Sequence, residues 1–202
     1  MKYTGPKVKR SRSLGIAITP KAAKVMEKKP YPPGEHGRNT SHGNRRESDY
    51  KLQLLEKQRL RAQYNVHERQ MKNYYRKARK MKGNTPANLI TLMESRLDAL
   101  VLHGGLASTI YAARQFVNHG HIKVNGRKVD IPSYRVKPDD VISVKEKSQK
   151  LTVFTEASEN AHAPEYLTFS AEDMSITYNR FPERHEIPVI CELSKVIEYY
   201  SR

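Results

Sequence analysis

Asn125-Gly126, set between HIKV and RKVDI, constrains this chain more than any other pair of residues. Asn-Gly between alternating runs marks a two-residue type I′ hairpin loop, because both central residues must take positive φ. Such a loop fixes the register. Val124 then faces Arg127, Lys123 faces Lys128, and Ile122 faces Val129. Two lysines directly opposite each other destabilise an isolated hairpin by roughly 0.2–1 kcal/mol. An anionic partner lying across that face removes the penalty. The plainer reading is a solvated polar face, and the surroundings decide between the two.

Those surroundings are helical before the hairpin and mostly extended after it. Asn84-Thr85-Pro86 supplies a cap with proline just inside, so a helix is predicted from there to His103, stopped by Gly104-Gly105. Met93, Leu97, Leu100 and Val101 form its buried stripe. A second helix begins near Ser108 or Thr109 and ends at Gly120. Ile110, Ala113, Phe116 and Val117 face inward, and Arg114 lies off that stripe. Strands follow at about 121–124, 127–131 and 140–145, with weaker ones near 166–169 and 174–178. Residues 151–164 read as a loop, and ICELSKVIEYY closes the chain as an amphipathic helix. Helices and antiparallel strands in separate runs argue for an α+β fold.

The net charge of +16 over 202 residues is unevenly placed. Residues 1–91 hold 23 Lys/Arg against 6 Asp/Glu, a net of +17, and residues 92–202 hold 14 against 15. A basic half joined to a near-neutral half implies a polyanion-binding surface. Residues 1–46 carry five prolines and 12 Lys/Arg with no useful period, and are predicted to be an extended arm. Residues 47–83 read as two helices. Ser48 or Asp49 caps the first and Asn65 ends it; the second runs from about Val66 to Lys82 and stops at Gly83. At 100° per residue, Met71, Tyr74, Tyr75, Ala78 and Met81 fall on one side of the second helix. Arg69, Lys72, Arg76, Arg79 and Lys80 fall on the other. A solvated face usually mixes signs in i,i+4 pairs. This one has no acid, which favours contact with phosphates.

Several chemistries find no support. There is no phosphate-binding glycine loop, dinucleotide fingerprint or nucleophile elbow. The single cysteine, Cys191, excludes a disulfide framework and any multi-cysteine metal site. His119 and His121 are two apart and should point to opposite faces of a strand, so no shared metal is expected. Asp139-Asp140 reads as a turn. No signal segment and no long apolar run appear, so no membrane role and an intracellular setting are expected.

Particular motifs narrow the reading. RLD at 96–98, ARQ at 113–115 and VNHGHIKVNG at 117–126 resemble the small RNA-binding fold called the S-four domain. YTGPK near the start, PPGEHGR at 32–38, SDYKLQLLEKQRLR at 48–61, ERQMKNYYRKA at 68–78, KGNTPANL at 82–89 and RFPERHEIP extend the likeness from end to end. Together they resemble the bacterial-type family of small-subunit ribosomal proteins S-four.

The resemblance implies three parts: a basic arm (1–46), a helical domain (47–91) completed by the C-terminal helix (185–202), and an inserted RNA-binding domain (92–184). It implies a structural protein of the cytoplasmic ribosome, not an enzyme. Such a protein binds small-subunit (16S) rRNA early in assembly, touches ribosomal protein S-five, lies near the mRNA entry site and influences decoding accuracy. The candidate RNA contacts in the arm are Lys7, Lys9, Arg10, Arg12, His36, Arg38, Arg45 and Arg46. On the basic helix they are Arg69, Lys72, Arg76, Arg79 and Lys80. In the inserted domain they are Arg96, Arg114, His119, Lys123, Asn125, Arg127 and Lys128. Two departures stand out. Many members hold zinc with cysteines in the arm; this arm has none, so no metal or other cofactor is carried over. Many also have a basic residue near the position of Ile110. The rival readings are an rRNA-modifying enzyme tethered by the same domain, which lacks room for a catalytic domain, and a free-standing RNA-binding module, which would lack the arm and helical domain.

Overall fold

The computed structural model describes residues 3–40, 48–159 and 163–202. The chain forms two compact units, one from residues 1–79 and 189–202, the other from residues 80–188.

The first unit departs from the expected extended arm. It contains helix α1 (Lys7–Leu14), helix α2 (Pro20–Lys28) and a single turn, α3 (Gly37–Thr40). Local punctuation explains the helices. Gly15, at φ 67°, ends α1 in the left-handed region. Thr19 Oγ1 accepts the Ala22 amide at 3.2 Å, and Pro20 fills the first helical position of α2. Two helices of eight and nine residues are marginal alone. Helix α1 persists because Leu14 and Ile16 bury against Ala62, with Ile18 and Leu55 beside them, and α2 packs back on α1 with Ala22 fully buried. Arg59 Nε also donates to the Leu14 carbonyl at 2.8 Å.

Helices α4 (Asp49–Gln63) and α5 (Glu68–Lys80) follow. Ser48 caps α4 by accepting the Lys51 amide, and Asn65 turns the chain at φ 47°. Helix α5 stops two residues earlier than predicted, and Met81 lies outside it, 37% exposed. The predicted inner face therefore reduces to Met71, Tyr75 and Ala78, with Tyr74 half-buried.

The second unit begins with a correction. One helix was predicted over 84–103; the structure has two, α6 (Thr85–Glu94) and α7 (Leu97–His103). Arg96 between them is extended, at φ −79° and ψ 140°, and forms an antiparallel bridge with Arg135. The Leu97 amide donates to Tyr134 O and the Val136 amide to Ser95 O. A distant loop thus takes the backbone groups that would have continued the helix. Helix α8 (Ile110–Asn118) starts at a capping Thr109, and Ile110 is buried where many relatives were expected to be basic.

The strands are β1 (Ile122–Val124), β2 (Arg127–Lys128), β3 (Val141–Val144), β4 (Leu167–Ser170) and β5 (Ser175–Tyr178). They form one antiparallel sheet in the order β2-β1-β3-β5-β4. Asn125 and Gly126 have φ of 49° and 76°, as a type I′ loop requires. Lys123 pairs with Lys128 and Val124 with Arg127, in the expected register. A short α9 (Glu146–Gln149) follows β3, and α10 (Thr152–Glu159) lies within the 151–164 segment expected to be a loop. Phe154 explains α10: it is fully buried and packs 4.6 Å from the Phe116 ring. Leu97, Leu100, Val117, Ile122, Val124, Ile142, Val144 and Ile176 fill the core between α7, α8 and the sheet. Gly104 is a close-packing residue as well as a helix end, since a Cβ there would meet Ile176 and the Leu100 carbonyl.

The chain then returns to the first unit as α11 (Leu193–Ser201). Leu193 and Val196 are buried, but Ile190, which opens the segment predicted to be helical, lies before the helix and is 62% exposed. Helix α11 is instead held largely by polar and aromatic contacts. Tyr200 stacks on Tyr75 at 5.2 Å, and Gln53 donates to Glu198 at 2.9 Å. Tyr200 Oη donates to Glu68 Oε1 at 2.7 Å, while Lys57 and Arg61 each reach Glu68 Oε2 at 3.0 Å.

Glu68 makes this junction acid-sensitive. Partial burial opposes its ionisation, but the hydrogen bonds from Tyr200 and Lys57 and the charges of Lys57 and Arg61 outweigh it. The carboxyl sits below its ordinary value of 4.5. A carboxyl lowered in the native state stabilises it fully above the ordinary value and loses that effect as pH falls through the lowered value. Thermal unfolding of wild type and Glu68→Gln should therefore differ at pH 7 and converge below pH 4.5. A difference that persists unchanged into that acid range would show that Glu68 acts by shape alone.

Candidate nucleic-acid interface

Helix α5 carries the most concentrated positive face. Arg69, Lys72, Arg76, Arg79 and Lys80 are all exposed, as is Lys77, while Met71, Tyr75 and Ala78 are buried. Among the described residues none of these six cations forms an ion pair with an acid of the chain. Two acids of this unit are used elsewhere: Glu68 by Lys57 and Arg61, Glu56 by Arg59 at 2.6 Å. Residues 69 to 80 span about 16 Å at 1.5 Å per residue, enough to follow several phosphates.

The candidates of the first 46 residues divide. Lys9 is exposed, and Arg10 is half-buried with its guanidinium 4.5 Å over the Tyr3 ring. Arg12 is a structural clamp rather than a free contact. Its Nε and Nη2 donate to the Tyr31 and Pro32 carbonyls at 3.1 and 3.2 Å, and its guanidinium lies 4.9 Å over the Tyr31 ring. Arg38 donates to Tyr31 Oη at 3.2 Å from the surface. That hydrogen bond, with the charges of Arg38, Lys29 and Arg12, holds the Tyr31 hydroxyl below its ordinary value. His36 is exposed and Lys7 half-buried. Arg45 and Arg46 lie outside the described residues.

In the second unit, two expected contacts belong to the interior. Arg96 is 1% exposed. Its Nε and Nη2 grip both oxygens of buried Asp98, at 2.9 and 2.5 Å. Arg114 reaches Asp98 Oδ2 at 3.4 Å, with its side chain 12% exposed. The RLD and ARQ motifs thus build a buried guanidinium–carboxylate–guanidinium cluster. Arg96 is displaced from the RNA-facing set because the helix break turns its side chain into the fold.

The hairpin contributes an exposed edge. Arg127 and Lys128 are exposed, and the stem of Lys128 lies where a side chain at Gly120 would sit. Lys123 is less available: its Nζ is 2.8 Å from Glu146 Oε1, and that bond holds the Glu146 carboxyl below its ordinary value. Lys128 has only a loose approach to Asp130, at 3.9 Å. The two opposed lysines are each drawn toward an acid, which relieves part of the repulsion expected from their register. Asn125 is a cross-brace. Its Nδ2 donates to Asp140 at 2.8 Å and its Oδ1 accepts the Val141 amide at 2.8 Å. Asp140 also accepts the Lys137 amide, as a turn residue should. His119 is exposed after α8, and its ring lies 6.1 Å from that of His121, so the two do not diverge across a strand. Among the described residues no cluster of His, Cys, Asp and Glu could hold a metal.

Arg135 and Lys137 are two further exposed cations outside the predicted set, flanking buried Val136. The alternation of Arg135, Val136 and Lys137 is the period-two signal that could have found them.

A family profile described as the ribosomal protein S4/S9 N-terminal domain matches residues 2–94, and the S4 domain profile matches residues 95–142. Small ribosomal subunit protein uS4 of Streptomyces avermitilis is 55% identical over 202 residues, covering 98% of this chain and 97% of that protein. The proteins of the same name from Thermobifida fusca and Geobacillus kaustophilus are 49% and 51% identical. Each alignment covers 100% of this chain, and at least 99% of the relative. The chain belongs to the uS4 family. Membership accounts for the S4 domain at residues 95–142 and the helical segment before it. No helix among the described residues is long and apolar enough to cross a membrane.

The hairpin lysines can now be separated. Lys128→Gln should flatten the slope of log K against log salt for RNA binding by about 0.7–0.9, the share of one phosphate contact. Lys123→Gln should change it less, because Glu146 already engages that ammonium. Both variants should stay within roughly 0.5 kcal/mol of wild-type stability, as surface substitutions do. Equal slopes for wild type and Lys128→Gln in filter binding would remove the hairpin from the interface.

Proposed function

We propose that this chain is a structural constituent of the small ribosomal subunit and binds 16S ribosomal RNA directly, without catalysing a reaction. The observation that carries the reading is the acid-free face of α5, where Arg69, Lys72, Arg76, Arg79 and Lys80 stand exposed and unpaired with any acid of the described chain. Family membership supports ribosomal RNA as the ligand of that face. Phosphate contacts supply most of the affinity. Selectivity comes from the shape of an RNA junction, since A-form grooves are poorly read by side chains. The protein works in the cytoplasm with the ribosome and joins the particle early, nucleating the folding of the RNA around it.

The finer partners follow from charge. Residues 151–202 carry 4 Lys/Arg against 9 Asp/Glu, a net of −5. A polyanion repels such a segment, so it faces protein, with ribosomal protein S-five as the neighbour. A position near the mRNA entry site and an influence on decoding accuracy belong to the same reading.

Sedimentation tests it. Tagged full-length chain should travel with small subunits after a high-salt wash and should bind the isolated 5′ region of 16S rRNA. Chain that stays at the top of the gradient, or binds that RNA no better than unrelated RNA, would overturn the assignment.

A further inference from the structure

The first unit contains a pocket of about 400 Å³ between the N-terminal strand of chain, α1, the turn at Pro33 and α4. Its volume falls within the range of small-ligand sites. Leu14 and Pro33 form apolar walls, Tyr3 supplies a ring, and Lys9 and Arg10 supply charge. Arg10 is the informative residue. Its guanidinium lies 4.5 Å over the Tyr3 ring, and its Nη1 is buried with no hydrogen-bond partner among the described residues. A buried charged donor left unpaired is costly, so such groups normally find an acceptor.

The lining combines the two things that a nucleotide offers. A phosphate gives the Arg10 guanidinium its missing acceptor and meets Lys9 at the rim. A base fits apolar walls and the flat faces of Tyr3 and the guanidinium. Unstacked bases of RNA are recognised in this way, on aromatic rings and arginine planes. We propose that this pocket receives a single nucleotide extruded from the bound RNA, with its phosphate on Arg10 and Lys9 and its base against Tyr3, Leu14 and Pro33. The proposal rests on the RNA-binding reading given above. It adds a site that holds one base, beside the contacts that only neutralise charge.

The distinction can be measured. Ser13 lines the pocket and is exposed on α1, so Ser13→Trp fills the space without removing a charge. Arg10→Gln removes one charge inside the pocket. Lys24→Gln removes one charge from the exposed surface of α2, away from the pocket. Each full-length variant is titrated with the 5′ region of 16S rRNA at fixed salt, and 2′-hydroxyl reactivity is read along the RNA. Ser13→Trp should lower affinity at least tenfold while flattening the salt slope by no more than about 0.7–0.9, the share of the one phosphate held by Arg10 and Lys9. It should also abolish a wild-type change in reactivity confined to one nucleotide. Arg10→Gln should lose several times more affinity than Lys24→Gln.

Wild-type affinity and footprint in Ser13→Trp would overturn the pocket while leaving RNA binding intact. So would equal losses for Arg10→Gln and Lys24→Gln, a comparison that holds even if the tryptophan variant unfolds. Failure of the wild-type protein to bind this RNA would overturn the functional reading, and the pocket with it.

Discussion

Replacing Arg96 with alanine will cost the second unit about 3–5 kcal/mol, the scale expected when one partner of a buried ion pair is removed. Arg96 and Asp98 are 1% and 0% exposed, and two hydrogen bonds join them. Alanine leaves the Asp98 carboxylate inside the fold with the 3.4 Å approach of Arg114 and the Ala99 amide to offset its charge. Whole domains are stable by only about 5–15 kcal/mol, so this one change puts the unit near its limit. The double variant Arg96→Met with Asp98→Leu is the informative partner. It removes both charges and keeps apolar volume, and such exchanges are often neutral or better. Denaturant unfolding should therefore show a large loss for the single variant and substantial recovery for the double. A single variant as stable as wild type would mean that Arg96 stands in solvent and is again a candidate contact.

The same residues show where sequence reasoning succeeds and where it stops. The hairpin was legible because its determinants are local: Asn125 and Gly126 alone require the turn, and alternation sets the faces. The helical run over 84–103 was legible from its stripe, and Met93, Leu97, Leu100 and Val101 are indeed buried. The break at Ser95 and Arg96 that divides it into α6 and α7 was not. It is imposed by Tyr134 and Val136, which lie some forty residues along the chain and compete for the backbone at Ser95 and Leu97. With the break went the fate of Arg96, since a charge on a continuous helix is read as facing solvent. One signal was present: an acid, Asp98, two residues after Arg96 within an apolar stretch.

The first 46 residues fail for a different reason. Helices α1 and α2 are too short to show a period, and their proline content weighs against helix. Yet Thr19-Pro20 is a cap followed by a first-position proline, and Gly15 is a stop. The punctuation was readable, while the apolar surface that makes it effective belongs to Ala62 on α4. Helix α10 repeats the lesson, with one deeply buried residue, Phe154, in a segment rich in Ser, Thr and Glu. The basic face of α5 was legible because the helix is long, its faces are separated and its one acid, Glu68, stands in the first turn.

That face carries the second large effect. Changing Arg69, Lys72, Arg76 and Lys80 together to glutamine should flatten the salt dependence of rRNA binding by about three, at 0.7–0.9 for each phosphate no longer neutralised. A slope difference of three means that the ratio of wild-type to variant affinity shrinks about sixtyfold when salt rises fourfold. The variant should therefore look severely impaired in dilute salt and much closer to wild type in concentrated salt. Folding should be nearly untouched, because the four side chains are exposed and no acid of the described chain depends on them. Salt-dependent filter binding, beside a thermal melt of each protein, separates the two properties. A fourfold variant with the wild-type slope would assign the phosphate contacts to another surface and leave the acid-free face of α5 without a role. A variant that loses affinity equally at every salt would point to contacts of shape, with the charges as bystanders.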